Sequence, residues 1–468
     1  MFSINRVNVL FYFLIFSSVL FKSYFPMIEQ YYFQKIFVYC ALLVIIMLII
    51  KQNKVTLPLN KTTFFVVLLL SVVQFPVIFY NMYNLDIDQQ LIIKKELAYI
   101  IFLIILYFHF YSIYLFKNEN FNLFSILYKS IIYISIFVIL INYLQLGYMV
   151  FPSLFDSIIT LFANTIESKW TGSIFDESWH DFYAIDGSYV KTTLRLSGLM
   201  EEAPENASMI FMGIMPFLLG KILINIRFRN TLNGSYLEFI LLLNFLLILV
   251  ASRSSSGILF FVIDLFLLIY LLSRSSLKYM IFAISIISFL ILSGMFFFLE
   301  GDNAGILLHF ITKTVDIDNM STNSRLAIVF ATGEIFFNNM LFGIGRTVTE
   351  FAISDYLPIW SQGNKEVEFW IATNTYPQLS RFLGFIAEFG LLGFSILFYI
   401  IYRIHKKLNY LSKLKQDIQS EQVVLTFKLF IISSLIATML STVWFRSFYL
   451  LIFFAFVVLS NQKQSYKG

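Results

Sequence analysis

Long apolar runs, separated by short charged or turn-rich breaks, make up most of this 468-residue chain. A helix crosses the hydrocarbon core of a bilayer with about 20 apolar residues, and somewhat shorter cores are tolerated. On that criterion the pattern predicts about twelve membrane-spanning helices, at residues 7–21, 36–50, 63–80, 97–116, 131–150, 207–226, 237–251, 257–272, 279–299, 383–402, 424–440 and 443–460. The expected fold is all-α: a polytopic membrane helix bundle with two large extracytoplasmic loops. Five spans fall in residues 1–150, the first loop in 151–206, four spans in 207–299, the second loop in 300–381, and three spans with a tail in 382–468. The first run follows Arg6 and carries no convincing small-residue cleavage site, so it reads as a retained anchor rather than a removed signal.

Each long loop contains an amphipathic stretch. Leu154, Phe155, Ile158, Ile159, Leu161 and Phe162 recur at helical spacing, as for a helix lying on a membrane surface. Asn323 or Ser324 can cap a second helix, with Leu326, Ala327, Phe330 and Ile335 on one face. Lysine and arginine placement sets the orientation. With the N-terminus in the cytoplasm, the inside loops collect Lys51, Lys54 and Lys61, then Lys117 and Lys129, then Lys221, Arg227 and Arg229, and the basic segment from Arg403 to Lys415. Both termini are therefore expected inside.

Composition narrows the class. Hydrophobic residues make up 59% and charged residues 13% of the chain, with 56 Phe, 27 Tyr and 5 Trp for lipid-facing surface and interfacial belts. The single cysteine, Cys40, excludes an intrachain disulfide and a cysteine metal site. A net charge of +5 spread among loops gives no reason to expect nucleic-acid binding. The first long loop is acidic, with nine carboxylates against three bases.

Candidate chemistry gathers on the expected outer face. Residues 195–208 read Arg-Leu-Ser-Gly-Leu-Met-Glu-Glu-Ala-Pro-Glu-Asn-Ala-Ser: an arginine, a turn and three carboxylates before a helix opened by Pro204. Arg253 sits in a tight Ser-Arg-Ser-Ser-Ser-Gly hairpin, against the positive-inside bias. Hydroxyls and backbone N–H groups at a helix start beside a guanidinium suit a phosphate. Arg325, Arg346 and Arg381 complete the outward cations, while Glu388 lies in an apolar setting that favours a paired carboxylate. Each arginine taken singly also fits a side chain snorkelling to lipid headgroups. Together they suit a phosphate-bearing substrate outside the membrane, where a lipid-linked diphosphate is the natural donor. Transfer from such a donor needs cations for the developing charge and a base for the incoming hydroxyl. Glu201, Glu202 and His180 are the candidates for the base, and either glutamate also fits a carboxylate favoured by a helix start. No metal ligand set and no cofactor motif is found.

The ordered pieces Arg195-Leu-Ser-Gly-Leu-Met-Glu-Glu-Ala-Pro, Ser252-Arg-Ser-Ser-Ser-Gly257, Ser324-Arg-Leu, Phe342-Gly-Ile-Gly345 and Glu388-Phe-Gly-Leu-Leu-Gly393 resemble the O-antigen polymerase and O-antigen ligase superfamily of bacterial membrane glycosyltransferases. The resemblance covers about residues 190–395; the first half matches only as a set of apolar spans. It implies undecaprenyl-diphosphate-linked glycans as donor and acceptor, membrane lipid as surroundings and a chain-length regulator protein as partner. It also implies a bacterial inner-membrane location and metal-independent, inverting transfer, with Arg195, Arg253 and Arg325 gripping the diphosphate. Ligases of this family carry a histidine two to three helical turns before the glutamate, where this chain has Leu379, Ser380 and Arg381, and no histidine occurs between His309 and His405. That departure favours a polymerase over a ligase or O-oligosaccharyltransferase. A lipid-linked oligosaccharide flippase, the rival from another class, would show two similar halves and short outer loops.

Overall fold

The computed structural model describes residues 6–20, 30–52, 61–118, 122–167, 185–229, 234–271, 320–346, 348–373, 376, 380–415, 417–440 and 446–461. Among the described residues the protein is all-helical, without strands. The helices are α1 (Arg6–Leu20), α2 (Gln30–Gln52), α3 (Lys61–Asn84), α4 (Gln89–Leu115), α5 (Leu123–Val150), α6 (Pro152–Phe162), α7 (Tyr189–Thr193), α8 (Ala203–Met209) and α9 (Met215–Arg229). They continue as α10 (Tyr236–Ala251), α11 (Ser255–Leu271), α12 (Met320–Asn338), α13 (Thr349–Ala352), α14 (Lys365–Thr373), α15 (Arg381–Lys415), α16 (Ile418–Leu440) and α17 (Ser447–Ser460). Where its residues are described, each apolar run read from the sequence is helical; residues 21, 272, 279–299 and 443–445 of those runs lie outside the described residues. Among the described residues, four helices are long and apolar enough to cross a membrane: Leu123–Val150, Ala203–Phe228, Arg381–Lys415 and Ile418–Met439.

Local signals explain the element starts. Asn122 accepts from the Ser125 amide to cap α5, Asp88 accepts from the Gln90 amide to cap α4, and Pro152 and Pro204 sit in the first turns of α6 and α8. A π-helical turn, Ile210–Ile214, joins α8 to α9, and Gly213 within it lies against the Phe448 ring, where a Cβ would clash. Aromatic side chains fill the main core. Phe211 stacks on Phe260 with ring centroids 4.3 Å apart, and Phe456 meets Phe427 at 5.2 Å.

The two amphipathic expectations fared differently. The first is α6, which buries Ile159 and exposes Phe151, Leu154, Ile158 and Leu161, the side a lipid surface would cover. The second, α12, is already helical at Met320, so Asn323 and Ser324 do not cap it. Ser324 instead donates to Glu366, and Asn364 donates to Asn323 at 3.2 Å. Its buried face is Ala327, Ile328, Ala331 and Ile335. Phe330, expected on that face, is exposed and meets the edge of Trp360.

A second, smaller core joins the end of α3 and the start of α4 to α12, α13 and the start of α15, through Ile78, Ile92, Ile328, Ile335, Ile344, Ile353 and Ala387. At its centre α15 is broken: Gly390 has φ 63° and ψ −168°, outside helical geometry. The backbone groups released by the break are taken up by residues 340–345. Ile344 N–H donates to Ala387 O at 2.8 Å, Gly345 N–H to Glu388 O at 3.2 Å, Leu391 N–H to Met340 O at 2.8 Å and Leu392 N–H to Leu341 O at 3.1 Å. A break within an apolar helix is tolerated where protein satisfies the freed backbone groups. Gly343, at φ +73°, permits the approach, since a Cβ there would meet the Glu388 carbonyl. The segments Phe342–Gly345 and Glu388–Gly393 are thus one structural unit.

Gly343→Ala is expected to cost about 3 kcal/mol, from left-handed strain plus a backbone that cannot withdraw. Thermal melting of the detergent-extracted protein, followed by size-exclusion fluorescence, would read this. Gly333→Ala is the control, because a Cβ at Gly333 meets nothing within 4 Å. Equal melting of both variants would refute the account of the crossing.

Candidate functional site

The segment 195–202 is positioned by two buried amides of α5. Gln145, fully buried, accepts from the Gly198 amide at 2.8 Å and donates to Ser197 Oγ at 3.2 Å. One turn away, Asn142 accepts from Asn206 Nδ2 at 2.7 Å, and the same amide group of Asn206 donates to Leu196 O at 3.3 Å. The loop between them turns tightly, with Met200 N–H donating to Ser197 O at 2.9 Å. Gly198 has φ +58°, and a Cβ there would fall 2.5 Å from Asn206 Oδ1 and 2.9 Å from Asn142 Nδ2. The glycine of the Ser-Gly turn is therefore required twice, by its backbone conformation and by the amides pressed against it.

This turn delivers Glu201 and Glu202 to the start of α8, where they occupy unlike surroundings. The pKa of Glu201 is pushed up to about 7, by burial first and by the Glu202 carboxylate second. Burial also raises Glu202, but the guanidinium groups of Arg325 and Arg195 pull it back down. Arg195 also acts on Tyr189, whose hydroxyl accepts from the Ala203 amide at 3.4 Å. Two adjacent carboxylates, one within electrostatic reach of two arginines and the other with its pKa raised to about 7, are chemically suited to proton transfer beside an anion. Arg195, Arg325, Glu201 and Glu202 are thus brought within electrostatic reach of one another across 130 residues of sequence by α7, α8 and α12.

The other expected residues have their own settings. Arg253 is buried (9% exposed) in the turn between α10 and α11 and adopts φ 50°. Its left-handed backbone leads into a serine-capped start, in which the Gly257 amide donates to Ser254 Oγ at 3.1 Å. Arg346 is engaged by α4. It donates through Nε to Glu96 Oε1 at 3.1 Å, pairs with that carboxylate through Nη2, and lies 3.9 Å from the Tyr99 ring centroid. Arg381 opens α15 beside Ser380, whose hydroxyl accepts from the Leu383 amide at 3.3 Å. Glu388 acts electrostatically on Lys95 and Tyr99, which places it with Arg346 rather than with Glu202. His180 lies outside the described residues.

Several participants were not singled out from the sequence. Arg446 pairs with Glu205 at the first turn of α8 and donates to Met200 Sδ at 3.4 Å, bracing the carboxylate segment from the α17 side. Lys191, 5% exposed, is held by Asp156 and Asp186 at 2.7 Å each and by Thr160 Oγ1, tying α6 to α7. Much of the loop's acidic charge is therefore spent internally. Between α5 and α6 lies a cleft of about 190 Å³ lined by Ile141, Leu144, Ile158, Ile159, Leu161 and Phe162, with Gln145 and Thr165 as its polar members. Only a buried Asn-x-x-Gln on one helical face hinted at these partners, since a polar pair in an apolar span needs something to bind. Among the described residues, no group of three or more His, Cys, Asp or Glu side chains is arranged to hold a metal ion.

Gly198→Ala is expected to cost about 2–4 kcal/mol, combining left-handed strain with displaced buried amides. Asn142→Leu, which strands the Asn206 amide, is expected to cost about 1–3 kcal/mol. Melting temperatures of the purified variants would check both, and wild-type melting in Gly198→Ala would exclude this packing.

No family model matches the chain, and no curated protein matches it.

Proposed function

We propose that the protein is a membrane glycosyltransferase that polymerises undecaprenyl-diphosphate-linked oligosaccharide repeat units on the outer face of a bacterial cytoplasmic membrane. In this reading about twelve helices span the membrane, both termini are cytoplasmic and residues 151–206 and 300–381 lie outside. The observation that supports it is that Glu202 lies within the electrostatic reach of Arg195 and Arg325, beside a Glu201 of raised pKa, where a helix apolar enough to cross the membrane begins.

The chemistry follows from those groups. Arg195 and Arg325 hold the donor diphosphate, with Glu202 orienting them, and neutralise charge as the bond to the anomeric carbon breaks. Glu201 accepts the proton of the acceptor hydroxyl as its oxygen bonds to the anomeric carbon from the opposite side. Undecaprenyl diphosphate departs with the bonding electron pair, and the configuration inverts. A base of pKa about 7 is half-ionised at neutral pH, close to the optimum for proton transfer. Arg253, buried at the next hairpin, is a further candidate for the donor's phosphates. Arg346 serves the broken helix through Glu96.

In a deletion strain, Arg195→Ala at normal membrane abundance is expected to leave single repeat units and abolish the long-chain polysaccharide ladder. In a membrane assay with lipid-linked repeat units, Glu201→Gln is expected to lower the rate by about 10²–10⁴-fold. Because Glu201 must be ionised, the wild-type rate should fall about tenfold per unit as pH drops below about 7. An unchanged ladder in Arg195→Ala would sink the donor-site assignment. Accumulation of unattached lipid-linked polymer would identify a ligase instead.

A further inference from the structure

Glu167 ends the π-helical turn Ala163–Glu167 and is completely buried. Three elements converge on its carboxylate: Tyr189 N–H of α7 donates at 3.2 Å, Ser197 Oγ of the loop at 3.4 Å and Gln145 Nε2 of α5 at 3.4 Å. Glu167 Oε1 accepts from Gln145 Nε2 and Ser197 Oγ, and it can do so with the carboxyl ionised or protonated on Oε2, so Glu167 faces the amide nitrogen of Gln145 and not its oxygen. That fixes the flip of the amide. Gln145 Oε1 is left pointing at the Gly198 amide, and the same Nε2 also reaches Ser197 Oγ and Gly198 O.

We propose that Glu167 and Gln145 are positioning residues for the loop 195–202: the carboxylate sets the orientation of the Gln145 amide, and the amide holds the Ser197-Gly198 turn, and with it Arg195 and the two glutamates, in place. The charged groups on the surrounding elements are Asp156 on α6, Lys191 on α7 and Arg195, Glu201 and Glu202 on the loop. Lys191 is taken by Asp156 and Asp186, while Arg195 acts on Tyr189 and Glu202. The titratable tyrosines there are Tyr148 on α5, under the Lys191 ammonium, and Tyr189. What acts on Glu167 is burial, which raises its pKa to about 7, opposed by bonds from Ser188, the Tyr189 amide and Ser197.

The sign of the pH effect follows. Once the loop opens and water reaches the carboxylate, its pKa returns towards 4.5. The closed form therefore binds the proton more tightly than the open form. Its advantage is full below about pH 4.5 and declines as pH rises to about 7, roughly tenfold in the opening constant per unit.

Hydrogen–deuterium exchange of the full-length protein in lipid nanodiscs tests this through the amides of residues 196–200, corrected for the pH dependence of intrinsic exchange. Glu201 lies in the same loop and titrates in the same range, so Glu167 is read in a Glu201→Gln background, where protection is expected to fall about tenfold per unit from pH 5 to 7 and then level off. Adding Glu167→Gln, which cannot ionise, should remove that slope, and Gln145→Leu should lower protection at every pH. A flat profile in Glu201→Gln, or a slope that survives in the Glu167→Gln, Glu201→Gln double variant, would overturn the proposal. Its functional consequence rests on the loop being the transfer site, whereas exchange does not. If exchange behaves as expected but Gln145→Leu keeps a normal polysaccharide ladder, positioning stands and the transfer reading fails.

Discussion

Buried amide groups on an apolar helix govern the site. Asn142 and Gln145 lie on α5, a helix long and apolar enough to cross a membrane, and both are fully buried. Without water, each unmade hydrogen bond at such a position costs a few kcal/mol, so these side chains must find protein partners. They find the backbone of the Ser197-Gly198 turn and the side chain of Asn206. The same bonds that satisfy α5 therefore determine where Arg195, Glu201 and Glu202 sit. Stability of the helix and geometry of the site are one requirement.

A second requirement of the same kind acts at the broken helix. Interrupting α15 at Gly390 frees backbone groups that only another peptide segment can satisfy, and residues 340–345 supply one. That segment is itself held from α3, where Gln74 donates to Phe342 O at 3.0 Å and Asn81 donates to Ile344 O at 2.8 Å. Arg346 adds its pair with Glu96, stacked over Tyr99. An arginine that looks like a substrate ligand in one dimension is here the fastening of a helix break. Guanidinium groups serve both purposes because their planar fork suits carboxylate and phosphate alike.

The all-helical, membrane-type character of the chain was legible in the period and length of its apolar runs, because lipid permits few alternatives to a hydrogen-bonded helix. So were α6, through its spacing and Pro152, and the turn before α8, through Gly198 and Pro204. Which charges meet was not legible. Arg195, Arg325, Arg346 and Arg381 are equivalent as letters on one expected face. The structure distinguishes them: α12 brings Arg325 within electrostatic reach of Glu202, and α4 carries Glu96 to Arg346. The same holds for the carboxylates, since Glu201 and Glu202 are neighbours in sequence, are buried alike and differ in the arginines that act on Glu202. Local sequence sets propensity and pattern, whereas a pKa or an ion pair depends on groups tens to hundreds of residues away. Those distances were decided only when the helices packed.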